Sequence, residues 1–319
     1  MANSSAGNHK VHGIVKILAV VLCLLSIIYG LVKGGNSEVC YQMENSFNRK
    51  ISDASQIEKL GKTVGNDNII LTADIHITNK DFKIGTEEYP FGGIFDGRGY
   101  KVYLDYTEAS SATSLFGYLA EGGVVRNTTF VIKNMKVRST SYGAIMNVNE
   151  GTVENCKVEF ESLEIITGGM YSPLVKVNRG IIRNVVVDGT VTGAVAKEVE
   201  KDISYGSICV YNYGKIENSI VSVAYHNLYC TDAQNVYAYN AKNEGISAVS
   251  VENMASSEIE NVSAIIGENV YVFDHNFSGI SFYTDGSEVF TTNNIFDKYD
   301  FNNQIWQIAN GTLKIKTMG

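Results

Sequence analysis

The sequence predicts an all-β protein, a parallel β-helix in which short strands stack as successive coils of a solenoid. Five segments follow one pattern of a glycine (Ser257 in the last), a β-branched residue, a variable residue and an asparagine, with 28 to 43 residues between successive asparagines. A recurring period of about 20–50 residues marks a stacked repeat. The composition agrees, because 30 glycines, 19 tyrosines and only 2 prolines in 319 residues suit strands joined by many corners. We also expect an N-terminal capping helix and a separate N-terminal transmembrane helix.

The N-terminal region carries an apolar stretch from Ile14 to Val32 that only Lys16 interrupts. As a helix, the uncharged part would rise about 24 Å, between a signal-peptide core and a full membrane span. His9, Lys10 and Lys16 precede that part, which favours an N-terminus on the inside. Its end lacks the small-residue pattern of a signal-peptidase site. We therefore expect an uncleaved single-pass anchor with the bulk of the chain extracellular, and a cleaved signal peptide is the alternative.

A short helix is expected ahead of the repeats. Ser52 and Asp53 are N-capping residues, and Ala54, Ile57 and Leu60 follow at helical spacing. Such a helix would cover the open end of the stack, where an unpaired strand edge invites aggregation.

The repeated unit defines the geometry of each coil. Strand side chains alternate with period two, so the apolar residue two positions before each asparagine shares its side, and the residue between them faces solvent. Stacking would then place the asparagines in an inward column that hydrogen-bonds along the solenoid. The members of this column are Asn127, Asn155, Asn184, Asn218 and Asn261. The glycine that opens each unit suits a corner with positive φ or a sharp turn.

The aromatic C-terminal region, which closes with Trp306, is expected to protect the far end of the stack. These expectations divide the chain into six parts. They are a cytoplasmic tail (1–13), a transmembrane signal anchor (14–33), a linker (34–50), an N-terminal cap with the first coils (51–113), the β-helix repeats (114–269), and C-terminal coils with a cap (270–319).

The run FGGIFDGRGYKVYLD, preceded by LTADIHI and followed by the asparagine repeats, resembles bacterial cell-surface proteins that carry GLUG-type repeats. The resemblance covers roughly residues 50 to 316. The sequence departs from the family where other residues, such as Ile145 and Met146, replace the Leu-Val-Gly centre of the repeat, and where Ser257 replaces the last glycine. The resemblance implies a right-handed β-helix displayed on a cell surface, as in adhesins or non-catalytic parts of larger enzymes, and no single activity.

Four cysteines follow the apolar stretch: Cys40, Cys156, Cys209 and Cys230. An even number in an oxidising compartment permits disulfides, and Cys209 with Cys230 is the pair that we favour. Four buried free thiols are an equal alternative. No cysteine or histidine spacing matches a metal site, so we expect neither metal nor cofactor.

No catalytic motif is present: nucleophile elbows, phosphate-binding glycine loops and HExxH are absent. His76 falls in a predicted strand and is expected to be structural, and Asp74, Asp96 and Asp105 form no defined acid–base pair. We therefore assign no catalytic residue. The net charge of -8 argues against a nucleic-acid partner, because no basic run accompanies it. The 45% hydrophobic content excludes intrinsic disorder as the main state.

Tyrosines of the fourth unit and the insertion after it are the strongest functional signal. Aromatic faces on a rigid scaffold stack on sugars or form a protein-binding patch. The candidate ligand-binding residues are Tyr211, Tyr213, Tyr225, Tyr229, Tyr237 and Tyr239.

The sequence therefore predicts a membrane-anchored extracellular β-helix that mediates adhesion or binds a cell-surface glycan or protein. Two alternatives stay open. One is a structural spacer or assembly component of the cell envelope. The other is a polysaccharide-degrading lyase or glycosidase built on a β-helix.

Overall fold

Parallel strands stacked along one axis dominate the computed structural model of this protein, so the predicted all-β solenoid is confirmed. The structure describes residues 49–60, 65–110, 113–138, 141–166, 169–193, 203–226, 246–247, 250–253, 258–260, 262–266, 269–273, 301–309 and 312–318. All of them fall within one structural unit, Arg49–Gly319. Strands are numbered below in chain order.

The first sheet has eight parallel strands. They are β1 (Arg49–Ile51), β2 (Ile69–Leu71), β4 (Ile94–Asp96), β8 (Val124–Arg126), β12 (Thr152–Glu154), β16 (Ile181–Arg183), β20 (Lys215–Glu217) and β24 (Glu258–Glu260). The repeated unit forms the last five of these strands, and its apolar residues stack in register in the core, as Val125, Val153 and Ile182 do.

Charged residues of the unit stack on the outer face of the same sheet, as predicted. Arg126 Nε lies 2.9 Å from Asp96 Oδ2, and Arg183 Nη2 lies 2.5 Å from Glu154 Oε2. Lys215 Nζ lies 2.7 Å from Glu217 Oε2. A slip of one residue would carry these charges into the core, so the ladder favours the observed register.

The second sheet has nine strands. They are β3 (Ile75–Ile77), β5 (Lys101–Leu104), β6 (Glu108–Ala109), β9 (Thr129–Val137), β13 (Lys157–Ile165), β17 (Val186–Gly193), β21 (Ile220–His226), β25 (Val262–Ile266) and β26 (Asn269–Phe273). All pairs are parallel except β25 with β26, which is antiparallel.

Two smaller parallel sheets complete the coils. One contains β7 (Phe116–Leu119), β11 (Met146–Asn149), β15 (Val175–Asn178), β19 (Cys209–Asn212) and β23 (Ser250–Asn253). The other contains β10 (Ser141–Gly143), β14 (Gly169–Ser172), β18 (Ile203–Gly206) and β22 (Ile246–Ser247). In the latter, the buried rings of Tyr142, Tyr171 and Tyr205 occupy the same position of successive coils.

One helix, α1 (Ala54–Leu60), occurs among the described residues, where the capping signal predicts it. Its N-terminus is capped, since Ser55 N donates to Asp53 Oδ1 at 2.8 Å. Ile57 is fully buried in the main core. Its role as a cover for the first coil stays a prediction.

The predicted membrane anchor, 14–33, lies outside the described residues. Among the residues that the structure does describe, no helix has the length and apolar character needed to span a membrane.

Asparagines that close the repeated units have a role that the alternation rule did not anticipate. Asn127, Asn155, Asn184 and Asn218 have φ between 45° and 53° and therefore turn the chain through the left-handed region. Asparagine tolerates this region better than other non-glycine residues. Along the predicted column, Asn184 Nδ2 donates to Asn155 Oδ1 at 3.4 Å. Asn261 lies outside the described residues.

A fully buried asparagine ladder lies at a different position of the coil. Asn149 Nδ2 donates to Asn178 Oδ1 at 2.7 Å, and Asn178 Nδ2 donates to Asn212 Oδ1 at 2.8 Å. All three side chains are 0% exposed. The Asn-x-Gly that opens the second, third and fourth units is the sequence signal for this ladder.

The unit's glycines permit close approach between coils, whereas positive φ, one expected reason for them, is found at the asparagines. A Cβ on Gly180 would lie 2.0 Å from Gly151 O, and one on Gly214 would lie 2.1 Å from Gly180 O. Neither glycine has positive φ.

We expect Gly180→Ala to lower the free energy of unfolding by about 1–3 kcal/mol, since the added methyl group must push adjacent coils apart. Denaturation followed by circular dichroism measures the change. Arg179→Ala, at the exposed neighbouring position, is the control and should lower the free energy of unfolding by less than about 1 kcal/mol. Equal stability of the two variants would show that adjacent coils leave room for a methyl group at position 180.

The C-terminal residues form a hairpin of β27 (Trp306–Ala309) and β28 (Thr312–Ile315). Trp306 packs with Val186 and Ile220 of the nine-stranded sheet in a second apolar cluster. Beyond β28, Met318 N donates to Arg98 O at 2.7 Å. The hairpin therefore runs along the side of the coils and reaches back to an early turn.

Candidate ligand-binding surface

The predicted tyrosines are only partly within the described structure. Tyr211 lies in β19 and is half-buried, and its hydroxyl donates to Met170 Sδ at 2.9 Å. Tyr213 follows the strand and is 40% exposed. Tyr225 lies in β21, whereas Tyr229, Tyr237 and Tyr239 lie outside the described residues. Of the predicted set, the structure thus places Tyr213 on the surface.

Tyr213 belongs to a column formed by one position of successive coils. In each coil this position lies between a ladder asparagine and a unit glycine, and the backbone makes the same hydrogen bond there. Glu150 N donates to Leu119 O at 2.9 Å, Arg179 N to Asn149 O at 2.7 Å, and Tyr213 N to Asn178 O at 2.7 Å. Their side chains are therefore stacked about 4.8 Å apart along the axis.

The side chains of this column contact one another. Arg179 Nη1 lies 3.3 Å from Glu150 Oε1, and the Arg179 guanidinium carbon lies 5.8 Å from the centroid of the Tyr213 ring. A guanidinium at this distance from an aromatic ring makes a cation–π contact. The side chains of Arg179 and Glu150 are 51% and 34% exposed, so both remain accessible to a ligand.

Tyr118, in the preceding coil, contacts the column from the register position of Val148. Its phenol hydrogen-bonds Glu150, and this contact, with burial and the Glu150 charge, raises the pKa of Tyr118 against the opposing effect of Arg179. Tyr118, Glu150, Arg179 and Tyr213 therefore form one continuous set of contacts, which we call the corner strip. At the spacing of parallel strands, the strip spans about 14 Å over four coils.

Apolar side chains border the corner strip on the five-stranded sheet. Val148 and Val177 pair in register with Tyr118 and Tyr211, and all four are half-buried. They form an aliphatic and aromatic margin beside the charged pair.

An exposed aromatic ring lies near the Tyr118 end of the strip. Ile84 bridges to Phe116 and Phe91 bridges to Leu119, so the turn between them leaves the coil at the level of Tyr118. Tyr89 lies in this turn and is 49% exposed.

Asp74 and Asp96, two of the carboxylates named from the sequence, accept hydrogen bonds from nearby residues of the coils. Asp96 is buried and accepts hydrogen bonds from Arg98 N, Asn127 Nδ2 and Arg126 Nε. Asp74 Oδ1 accepts from Lys101 N at 2.8 Å. These bonds fix the turn between β4 and β5.

His76 stacks on Tyr103 of the next coil, with ring centroids 4.4 Å apart. Its Nδ1 lies 2.5 Å from Asp105 Oδ2. Across the described part of the chain, no three histidine, cysteine or acidic side chains lie close enough to hold a metal ion.

Two of the four cysteines, Cys156 and Cys209, lie within the described residues. Burial raises the pKa of the Cys156 thiol, which contacts Glu154 O at 3.3 Å and keeps its proton at neutral pH. Cys209 is buried in β19. Because Cys230 lies outside the described residues, the predicted Cys209–Cys230 disulfide stays a prediction.

Sequence reasoning missed Tyr118, Glu150 and Arg179 as members of the surface. They share no chemical type with Tyr213, so a search for one residue class does not collect them. An alignment of the Asn-x-Gly turns would have placed Glu150, Arg179 and Tyr213 together.

No family model matches the sequence, and no curated protein matches it. Among solved structures, a putative immunoglobulin A1 protease from Bacteroides ovatus is similar over 85% of this chain and 93% of its own, with 16% identity and a TM-score of 0.45. At that similarity the neighbour's activity does not transfer to this chain.

Proposed function

We propose that this protein is a cell-surface β-helix, held in the membrane by residues 14–33, that binds an extended glycan along the corner strip. The continuous contact of Tyr118, Glu150, Arg179 and Tyr213 carries this proposal. The resemblance to bacterial cell-surface proteins with GLUG-type repeats agrees with this location and role, and the mechanism is adhesion by binding, without cleavage.

The chemistry of the strip suits a sugar chain. Aromatic faces carry negative charge density and pack against the C–H face of a pyranose ring. A carboxylate accepts hydrogen bonds from hydroxyl groups, and a guanidinium donates to ring and hydroxyl oxygens. Both types of group are partly exposed here, side by side.

The geometry of the strip suits an extended ligand rather than a single sugar. Successive coils present one side chain each, about 4.8 Å apart, which is close to the length of one pyranose unit. A linear glycan lying parallel to the solenoid axis can therefore place about one ring on each coil. A rigid scaffold also lowers the entropic cost of binding, because the contacting groups are already in place.

Binding to a panel of immobilised linear polysaccharides and mucins tests the proposal, using the full chain in detergent. Wild-type protein should be retained by at least one glycan, and Arg179→Ala and Tyr213→Ala should each weaken binding by about tenfold or more, equivalent to about 1.4 kcal/mol. Arg183→Ala is the matched control, because Arg183 lies in the same coil, in an ion pair on the neighbouring sheet.

The same assay separates the alternatives. New reducing or unsaturated ends would support a polysaccharide-degrading enzyme in place of a binding protein. If the protein neither binds nor cleaves any glycan of the panel, the result would support a structural spacer. Equal loss of binding in Arg183→Ala and Arg179→Ala would place the site elsewhere on the solenoid.

A further inference from the structure

Lys157 is a buried cation on the nine-stranded sheet, outside the corner strip. It begins β13, and its side chain is 1% exposed. Its register partners are Thr129 and Val186, both buried. Val186 belongs to the apolar cluster of Trp306 and the C-terminal hairpin. The amine is therefore held where water has little access.

Two carboxylates face this amine. Lys157 Nζ lies 2.9 Å from Glu159 Oε1 and 3.8 Å from Asp188 Oδ2. Glu159 is on the same strand, whereas Asp188 is on the next coil, directly in register with Glu159. Lys101 Nζ approaches the other Glu159 oxygen at 3.1 Å. A nucleophile, a proton acceptor and a second carboxyl group thus lie within contact distance.

We propose that Lys157 and Asp188 form an intramolecular amide bond that links β13 covalently to β17, with Glu159 as the proton acceptor. Glu159 takes a proton from the Lys157 ammonium, and the neutral Nζ attacks Cγ of protonated Asp188. The C–N bond forms, the C–OH bond breaks, and one water molecule leaves. The surplus proton passes from Glu159 to solvent.

The environments of the two carboxyl groups fit these roles. Burial raises the pKa of Asp188 despite the nearby Lys157 charge, so this group takes up a proton more readily than an ordinary aspartate. Burial also acts to raise the pKa of Glu159, but contacts with Lys157 and Lys101 outweigh it and lower the pKa. Carboxyl groups whose environments push their pKa values apart are suited to opposite acid–base roles.

The Lys157 amine must approach Asp188 further before it attacks. Reacting atoms in near-attack geometry lie about 3–3.5 Å apart, and Lys157 Nζ lies 3.8 Å from Asp188 Oδ2, so a small movement of either side chain is required. Because the strands hold both side chains in place, the reaction is intramolecular and needs no enzyme or cofactor. The bond would reinforce adjacent coils against pulling, independently of any glycan bound at the corner strip.

Peptide mapping of the purified full chain tests the bond. Trypsin cannot cleave after an acylated Lys157, so the expected product joins 139–176 to 184–197 and is one water molecule lighter than the sum of the two peptides. Lys157→Arg should abolish this species, because the guanidinium keeps the charge but does not form the amide. Lys136→Arg, at a solvent-exposed lysine paired with Glu164, should leave it unchanged.

Separate wild-type peptides 139–157, 158–176 and 184–197 with full masses would overturn the proposal. Glu159→Gln should slow formation by about 100-fold or more, since general acid–base assistance contributes about 10²–10⁴-fold. An unchanged rate in that variant would remove Glu159 from the reaction. Glycan retention in the corner-strip assay does not depend on this bond, so the two proposals fail separately.

Discussion

Trp306→Ala is expected to lower the free energy of unfolding by about 3–5 kcal/mol, the usual cost of deleting a large buried aromatic side chain. Trp306 is 1% exposed and packs edge to face on Phe301, with ring centroids 5.0 Å apart. Its Nε1 donates to Asn155 Oδ1 at 3.2 Å. The substitution therefore removes a buried contact between the C-terminal hairpin and the coils.

The expected mechanism is release of the hairpin from the side of the solenoid. In a stacked repeat, each coil contacts only its neighbours, so the coils at either end can unfold separately. The hairpin and the residues after it connect several coils, because Trp306 contacts Asn155 and Ile220 while Met318 contacts Arg98. Without it we expect a lower midpoint and a broader transition in chemical denaturation.

The measurement is direct, since the sequence contains one tryptophan. In the wild type, its fluorescence should change together with the far-ultraviolet circular dichroism of the strands. Trp306→Phe is the control: it keeps an aromatic ring and should cost only about 1–2 kcal/mol. If Trp306→Ala and the wild type unfold within about 1 kcal/mol of each other, the hairpin does not stabilise the coils.

Local repetition explains why the coils could be predicted and the hairpin contact could not. The apolar position of each unit, as at Val125 and Val153, follows from strand alternation and recurs in every copy. The contact between Trp306 and Asn155 joins positions 151 residues apart. Nothing in the repeated unit encodes which side of the solenoid the C-terminal strands cover.

The asparagines mark the limit of the alternation rule. β8 ends at Arg126 and β12 ends at Glu154, so Asn127 and Asn155 follow their strands and take the left-handed turn instead of pointing inward as strand residues. Their preference for this region was a local signal for that role. The corner strip could not be found from one repeat, because its residues come together only when the sequences of successive coils are aligned.

Asn178→Leu is expected to destabilise the protein by about 2–5 kcal/mol, because it leaves two buried polar groups without their partners. Asn178 accepts from Asn149 Nδ2 and donates to Asn212 Oδ1, at 2.7 and 2.8 Å. Leucine has the same branching and the same number of side-chain heavy atoms, so the substitution leaves no cavity and the loss reports the missing hydrogen bonds together with the larger methyl groups. Asn147→Leu, at a half-buried position of the same β11 strand, is the control and should change stability by about 0.5 kcal/mol or less.

Asn178→Asp separates hydrogen bonding from charge in the same ladder. A carboxyl group at this buried position would have a pKa above its unfolded value of about 3.9, because burial disfavours the ionised form. Its added cost should therefore be absent below the unfolded pKa, grow as the pH rises, and reach its full size above the folded pKa. Denaturation at several pH values measures this trend against the wild type. A cost that is independent of pH would mean that water reaches position 178 and that the ladder is not sealed within the core.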